Sequence, residues 1–141
     1  ALRGGIWATI PGSGPDDVEP WALLEQAAKE GSDSGVRVAY AVGALLANNA
    51  GETDRMRQFL IGHGNSVNQT PRNQGFAFFD QYAYEVSLHQ SDLLWIAETG
   101  HRTPILGGLP MSIQETPSIE GEDPFGDDVE AESSEDPFGE E

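Results

Sequence analysis

Residues 76–96 read FAFFDQYAYEVSLHQSDLLWI and form the apolar centre of the sequence. Their hydrophobic periodicity fits two kinds of secondary structure. Apolar side chains at positions 76, 78, 82, 84, 86 and 88 alternate as in a strand, interrupted at Asp80, whereas those at 76, 79, 83, 86 and 93 fit one face of a helix. We favour a helix, because alanine, glutamine and glutamate fill other positions and Ser91 and Asp92 can cap a following turn. Gly100 is placed to end it.

Three further helices are predicted before this segment, over about residues 20–31, 36–49 and 53–62. Each begins near residues that cap a helix or suit its first turn, such as Asp16, Asp17 and Pro20, and each is followed by a glycine. The first should end at Gly31 and the last at Gly62. The predicted fold class is therefore mainly α, with a small body of about four helices. An α+β fold is the alternative, because residues 76–90 also fit a strand.

Three segments lack a helical pattern. Residues 1–15 are predicted to form an extended N-terminal arm, because the short run 6–10 leads into two prolines and two glycines. Residues 62–75 are polar and flanked by glycines, and loops of that length in small domains are usually functional or disordered. Residues 103–113 alternate proline and glycine with isoleucine, leucine and methionine. That pattern predicts an extended C-terminal arm, which packs back across the helices or inserts into a neighbour.

Composition limits the classes of function. The 141 residues, 38% of them hydrophobic, suit one globular domain. The formal net charge of -17 excludes a general nucleic-acid binder and a polybasic membrane-surface module, because both need clustered lysine and arginine. The absence of cysteine excludes disulfides and thiolate metal sites. No apolar run approaches the roughly 20 residues of a bilayer span, and residues 1–5 do not lead into a secretory signal. We expect a soluble protein, in the cytoplasm or in a virion.

Acidic residues are concentrated at the C-terminal end. Residues 115–141 hold 12 of the 24 acidic side chains and no basic one, whereas residues 1–114 hold all 7 basic side chains. Three prolines interrupt any helix in this segment, and its few apolar groups cannot offset an ordering cost of about 1–2 kcal/mol per residue. We therefore divide the chain into a globular body with its arms, 1–114, and an acidic tail, 115–141. The tail is predicted to be disordered, or ordered only on a partner.

Candidate catalytic and metal-binding groups are sparse. His63, His89 and His101 are the three imidazoles, but no two of them have the close spacing typical of zinc ligands. No Gly-x-Ser-x-Gly nucleophile motif is present, and the Gly-Ser-Gly at 12–14 lacks the lysine of a phosphate-binding loop. We therefore predict no enzymatic activity, no metal and no cofactor. A small hydrolase or metalloprotein that uses His63 is a minor alternative.

The aromatic side chains are predicted to pack in the core. Stacking on single-stranded nucleic acid would need a basic groove, and residues 1–114 also carry more acidic than basic groups. The residues concerned are Trp7, Trp21, Phe59, Phe76, Phe78, Phe79, Tyr82, Tyr84 and Trp95.

The tail contains an identical repeat, Glu-Asp-Pro-Phe-Gly, at 122–126 and again at 135–139. A proline that stiffens the backbone, one aromatic anchor and acidic neighbours suit a short linear ligand, and two copies on one tether raise avidity. The other interpretation is an acidic tail that only maintains solubility. As ligands, the units would bind with Phe125 and Phe138 as anchors. The predicted partner-binding residues are Asp123, Pro124, Phe125, Gly126, Asp136, Pro137, Phe138 and Gly139.

These units resemble motifs of two protein families. The Asp-Pro-Phe at 123–125 and 136–138 resembles the motifs with which endocytic accessory proteins dock on clathrin-adaptor appendage domains. An acidic segment with Pro137 and Phe138 is also similar to the tail tip of bacterial single-stranded DNA-binding proteins, except that Gly139, Glu140 and Glu141 follow the phenylalanine. Each resemblance covers a few residues, and residues 1–114 carry no fold signature of either family. The resemblances imply a protein-binding tail and assign no family.

The body offers the tail a basic counterpart. Residues 55–75 contain Arg55, Arg57 and Arg72 and no acidic side chain. Arginine can bind a carboxylate through two parallel hydrogen bonds, which favours a defined contact over a diffuse one. We therefore predict that the tail docks on these three arginines, within the chain or on a neighbouring copy, and that added salt weakens the contact.

Two functions fit these observations. The first is a non-catalytic structural protein that assembles into a larger complex, such as a virion. Its arms and acidic tail would pack against copies of itself or against a neighbour, and it would be oligomeric. The second is a recruitment module whose two Asp-Pro-Phe-Gly units tether a separate protein. In both cases the predicted partner is a protein, without direct contact to nucleic acid or to a membrane.

Overall fold

The computed structural model of this protein describes residues 2–10 and 12–110. Within this part of the chain every regular element is a helix, which confirms the mainly α prediction and the helical interpretation of residues 76–90. No helix found there combines the length and the apolar character needed to cross a bilayer. The predicted tail, 115–141, lies outside the described residues. The helices are α1 (Leu2–Thr9), α2 (Pro20–Asp33), α3 (Val38–Asn49), α4 (Thr53–Gln69) and α5 (Ala77–Thr99), with a 3-10 turn at Gln74–Phe76.

Helices α2 to α5 run alternately up and down, as the contacts between their ends show. Ser32, near the end of α2, donates a hydrogen bond to Ser66, near the end of α4, while Arg55 at the start of α4 pairs with Glu25. Arg57 in the first half of α4 pairs with Glu98 near the end of α5. Helices α2 and α4 are therefore parallel, and α5 is antiparallel to α4. Gly62 approaches Tyr40 and Gly43 approaches Phe59, so α3 is also antiparallel to α4 and runs in the same direction as α5.

Helix α3 is central and packs against each of the other four helices. Its buried positions are small residues, which lets its neighbours approach closely. At Gly43 a Cβ atom would overlap the ring of Phe59, so only glycine fits there. The hydrophobic core around α3 consists of Leu24, Ala28, Ala39, Ala44, Ala47, Met56, Phe59, Leu60, Leu94 and Leu106.

The prediction of an extended N-terminal arm is wrong for residues 2–9, which form helix α1. Gly4 and Gly5 are both buried and lie on the side of α1 that faces the body. A Cβ at Gly4 would lie 3.0 Å from the carbonyl oxygen of Pro20, and one at Gly5 would lie 3.1 Å from a methyl group of Leu46. The two glycines therefore bring the α1 backbone close to α2 and α3, and this packing stabilises a short helix.

The predicted loop at 62–75 is also wrong for most of its length, because α4 continues through Gly62 and Gly64 to Gln69. Neither glycine ends the helix; both mark close approaches. A Cβ at Gly62 would overlap the ring of Tyr40, and one at Gly64 would overlap the carbonyl oxygen of Leu106. Gly31 likewise lies inside α2, whose first turn is capped by the carboxylate of Glu19 instead of by Asp16 or Asp17.

The C-terminal arm packs back across the helices, the first of the two predicted arrangements. Residues 101–110 contain no helix, and Leu106 is buried between the arm and α4. The indole Nε1–H of Trp95 donates to the carbonyl oxygen of Gly108 at 2.8 Å. The backbone N–H of Thr103 donates to a carboxylate oxygen of Asp92 at 2.8 Å, and this bond lowers the pKa of Asp92. Positions 111–113 of the predicted arm lie outside the described residues.

Replacing Gly64 with alanine is expected to displace the arm from α4. The new Cβ would meet the Leu106 carbonyl and the Gly107 backbone, which cannot move without shifting the whole arm. Overpacking of this kind costs about 1–3 kcal/mol in the free energy of unfolding. Urea unfolding followed by circular dichroism measures the loss, and the indole N–H signal of Trp95 reports whether its bond to Gly108 persists. Gly75→Ala is the control, because a Cβ there makes only ordinary contact, at 3.4 Å; equal stability of both variants would contradict the expectation.

Candidate interaction surface

Helix α5 exposes several of its large apolar side chains and buries polar ones. Its buried positions include Asp80, Ser87, Gln90 and Ser91, with Ala83 and Leu94 as the buried apolar residues. Its start carries the most exposed aromatic side chains, with Phe78 76% and Tyr82 65% accessible. The prediction that the aromatic residues pack in the core is therefore wrong for Phe78, Phe79 and Tyr82, whereas Tyr84 does pack against the core. Contiguous exposed apolar surface is typical of a protein-binding site, because a monomer gains nothing by leaving it in water.

Four side chains form this patch, which we call the aromatic surface: Phe76, Phe78, Phe79 and Tyr82. Each is at least half exposed, and all four lie within the first two turns of α5 or in the 3-10 turn before it. The rings of Phe78 and Phe79 contact each other edge to face, with centroids 5.6 Å apart. The surface therefore presents several aromatic faces to a partner at one place.

A groove between α3 and α5 adjoins the aromatic surface, and Phe79 and Tyr82 belong to both. We call it the α3/α5 groove. Its walls are entirely apolar or aromatic, and no residue of α3 carries a charge. The lining residues are Val38, Ala41, Val42, Leu45, Phe79, Tyr82, Ala83 and Val86. An apolar groove between two parallel helices can receive a side chain or a short peptide segment.

A buried ion pair determines which face of α5 points inward. Arg37, at the start of α3, is 2% exposed, and its Nη1 donates to Oδ2 of Asp80 at 2.8 Å. The backbone N–H of Arg37 donates to Oδ1 of the same carboxylate at 3.1 Å. A buried carboxylate needs such partners, because an unpaired charge in the interior is costly. Asp80 therefore turns toward α3, and its neighbours Phe78 and Phe79 are left outside.

The same arginine joins α4 to this pair. Its Nε donates to the hydroxyl of Ser66 at 2.9 Å, and its Nη2 donates to the carbonyl oxygens of Ser66 and Thr70 at the end of the helix. Arg72 approaches Asp80 from the solvent side, and its Nε donates to Oδ2 of Asp80 at a distance of 3.1 Å. The network thus connects the ends of α3, α4 and α5, and sequence reasoning missed its two buried charged members, Arg37 and Asp80.

His63 lies in a second buried polar site, between α4 and α5. Its Nδ1 is 2.7 Å from the hydroxyl oxygen of Ser87, and its ring lies against those of Tyr40 and Tyr84. Burial is the main cause that lowers the pKa of His63 to about 4, with Asp80 raising it and Arg37 lowering it. A histidine and a serine at this distance could form a base and a nucleophile, but both are enclosed and a substrate has no access. The pair instead packs α5 against α4.

The three arginines predicted to receive the tail do not lie together. Arg55 and Arg57 are in the first turns of α4 and Arg72 follows its end, so the length of a 17-residue helix, about 25 Å, separates them. Each has a carboxylate partner from another part of the chain: Glu25 and Glu52 for Arg55, Glu98 for Arg57, and Asp80 for Arg72. These carboxylates therefore neutralise the positive charge of residues 55–75 in the folded protein. Docking of the tail on these residues stays a prediction.

The other predicted site residues, 123–126 and 136–139, lie outside the described residues. His89 and His101 are exposed and far from His63 in sequence, and no group of three or more potential metal ligands occurs in residues 2–10 and 12–110.

Two signals in the sequence mark the Arg37–Asp80 network that sequence reasoning missed. Asp80 is a single charge within an apolar stretch, and Arg37 directly precedes a helix with no charged residue.

Comparisons with protein-family models, curated proteins and solved structures gave no match for this chain.

Proposed function

We propose that this protein is a non-catalytic structural subunit, which assembles with other copies into a larger complex, such as a virion, through the aromatic surface. The observation that carries the proposal is the inverted character of α5. This helix buries Asp80, Ser87, Gln90 and Ser91 and exposes a cluster of phenylalanine and tyrosine side chains. Covering the exposed apolar face of such a helix with a partner removes it from water and so stabilises the complex.

The rigidity of the surface supports the same proposal. The Arg37–Asp80 ion pair and the bonds from Arg37 to Ser66 hold the first turns of α5 on the bundle. Aromatic side chains on a fixed helix lose little conformational entropy when they bind, so they make good anchors in interfaces. The energy of burying one such side chain, about 1.5–3 kcal/mol, is large compared with that of an exposed ion pair.

Removing two rings from the aromatic surface is expected to dissociate the assembly. Phe78→Ser combined with Tyr82→Ser removes the two most exposed aromatic side chains, and because both point into solvent the folded monomer should remain intact. Sedimentation velocity of the full chain over a range of concentrations should show larger species for the wild type and a monomer for this variant. The control is Ile61→Ser with Val67→Ser, which removes two exposed apolar side chains from α4. Identical sedimentation of wild type and Phe78/Tyr82 variant would contradict the proposal.

Recruitment of a separate protein is the second candidate function, and the identical repeat at 122–126 and 135–139 is the observation that favours it. A recruitment module would sediment as a monomer at every concentration, and its tail would bind a foreign protein through Phe125 and Phe138. The sedimentation experiment therefore also separates the two functions.

A further inference from the structure

We infer that the α3/α5 groove is the binding site for the Asp-Pro-Phe units of the acidic tail, and that the tail of one copy binds the groove of another. This inference rests on the proposed function, because it names what covers part of the aromatic surface in the assembly. It assigns to the units at 123–125 and 136–138 a partner within the protein itself.

The shape and chemistry of the groove suit these units. Each unit offers one aromatic side chain, Phe125 or Phe138, preceded by a proline that keeps the backbone extended. The groove is lined by aliphatic side chains of α3, among them Val42 and Leu45, and by Phe79 and Tyr82 of α5. Phenylalanine inserted between them would gain both apolar burial and edge-to-face ring contact.

The charges at one end of the groove suit an acidic ligand. No side chain that lines it is charged. Arg37 and Arg72 both pair with Asp80, the residue after Phe79, but these three side chains line a separate cavity. The N-terminal ends of α3 and α5 both lie at this end of the groove, and their dipoles add partial positive charge. In each tail unit, glutamate and aspartate directly precede the proline and phenylalanine. A unit whose phenylalanine enters the groove can therefore place its acidic residues at this end.

The tail is long enough to reach the groove. It carries two Asp-Pro-Phe units, whereas each chain has one α3/α5 groove. Phe125 is 15 residues beyond Pro110, the last described position, and 15 residues can extend about 50 Å. Helix α5 is only about 35 Å long. The two units are 13 residues apart, so both cannot occupy the same groove. When both are bound, at least one of them binds a second copy, and each tail can link two neighbours.

Paramagnetic NMR on the full chain tests this inference. The sequence contains no cysteine, so Ser134→Cys places a single nitroxide label beside the second unit. Two populations of the protein are mixed. One carries the nitroxide and has natural isotope abundance, and the other has isotope-labelled methyl groups and no nitroxide. Only a contact between two copies can then broaden the methyl signals. We expect selective broadening of the methyl signals of Val38, Val42, Leu45 and Val86, compared with those of Ile61 on α4.

Two variants identify the contact. Phe125→Ala with Phe138→Ala in the tail should abolish the selective broadening and weaken tail binding roughly 10- to 100-fold. Leu45→Gln in the groove should weaken it as well, whereas Ile61→Gln, at a position with the same 38% exposure, should not. Broadening that is absent or that survives the double phenylalanine substitution would overturn the inference.

Sedimentation of the same samples separates this inference from the proposed function. If the tail variant assembles as the wild type does while Phe78→Ser/Tyr82→Ser does not, the aromatic surface mediates assembly but the tail does not cover it. If Phe78→Ser/Tyr82→Ser has no effect on assembly, the proposed function itself is wrong.

Discussion

Asp80→Ala is expected to destabilise the protein by about 3–5 kcal/mol, the cost of leaving a buried arginine without its counter-ion. Arg37 is 2% exposed, and three of its hydrogen bonds hold the end of α4, so it cannot turn to water without breaking them. Such a loss is a large share of the 5–15 kcal/mol that stabilises a typical domain. Guanidinium unfolding followed by circular dichroism at 222 nm measures it.

Two further variants show that the effect comes from the ion pair. Glu25→Ala removes the carboxylate of an exposed pair with Arg55 and should cost less than about 1 kcal/mol. Arg37→Met combined with Asp80→Leu replaces both charges by apolar groups and should recover much of the stability that Asp80→Ala loses. A loss for Asp80→Ala no larger than that for Glu25→Ala would show that the pair is not what positions α5.

Lowering the pH from 7 to 5 is expected to reduce the free energy of unfolding by about 2 kcal/mol through His63 alone. Burial lowers the pKa of His63 to about 4 in the folded protein, against 6.5 for an unperturbed histidine. Between these values the unfolded chain binds a proton that the folded protein does not. The contribution is therefore complete above about pH 6.5, decreases as the pH falls, and is lost by about pH 4, with a total of roughly 3 kcal/mol.

The slope of stability against pH tests the role of His63 separately from its packing. His63→Gln is expected to be less stable at pH 7, but its stability should change little between pH 7 and pH 5. His89→Gln and His101→Gln replace exposed histidines and should keep the slope of the wild type. Urea unfolding at several pH values gives these slopes. A wild-type slope unchanged by His63→Gln would mean that another group is responsible.

The sequence alone determined the helical character of the body and several of its boundaries. The apolar spacing of residues 36–49 predicted α3 closely. The spacing of residues 76–96 fitted a strand as well, and the alanine, glutamine and glutamate at other positions favoured the helix α5. Gly100, which has a φ of 74°, ends α5 as expected. The proline and glycine pattern after residue 103 predicted an arm without helix, and left open whether it packs back on the bundle or inserts into a neighbour. These features follow from local backbone preferences and periodicity, which the sequence records directly.

Only the tertiary structure decided which face of α5 is buried and what several glycines do. Helical spacing places Phe78 and Tyr82 on one face as readily as it places Asp80 and Ser87 on another, and it is the second face that is buried. The choice is made by Arg37, which lies 43 residues earlier and pairs with Asp80. Gly62 and Gly64 resemble helix stops in sequence, yet both lie inside α4, where Tyr40 and Leu106 approach its backbone. Sequence periodicity shows which residues share a face of one helix. The free energy of burying a charge, or of packing another helix closely against a glycine, depends on side chains that are distant in sequence.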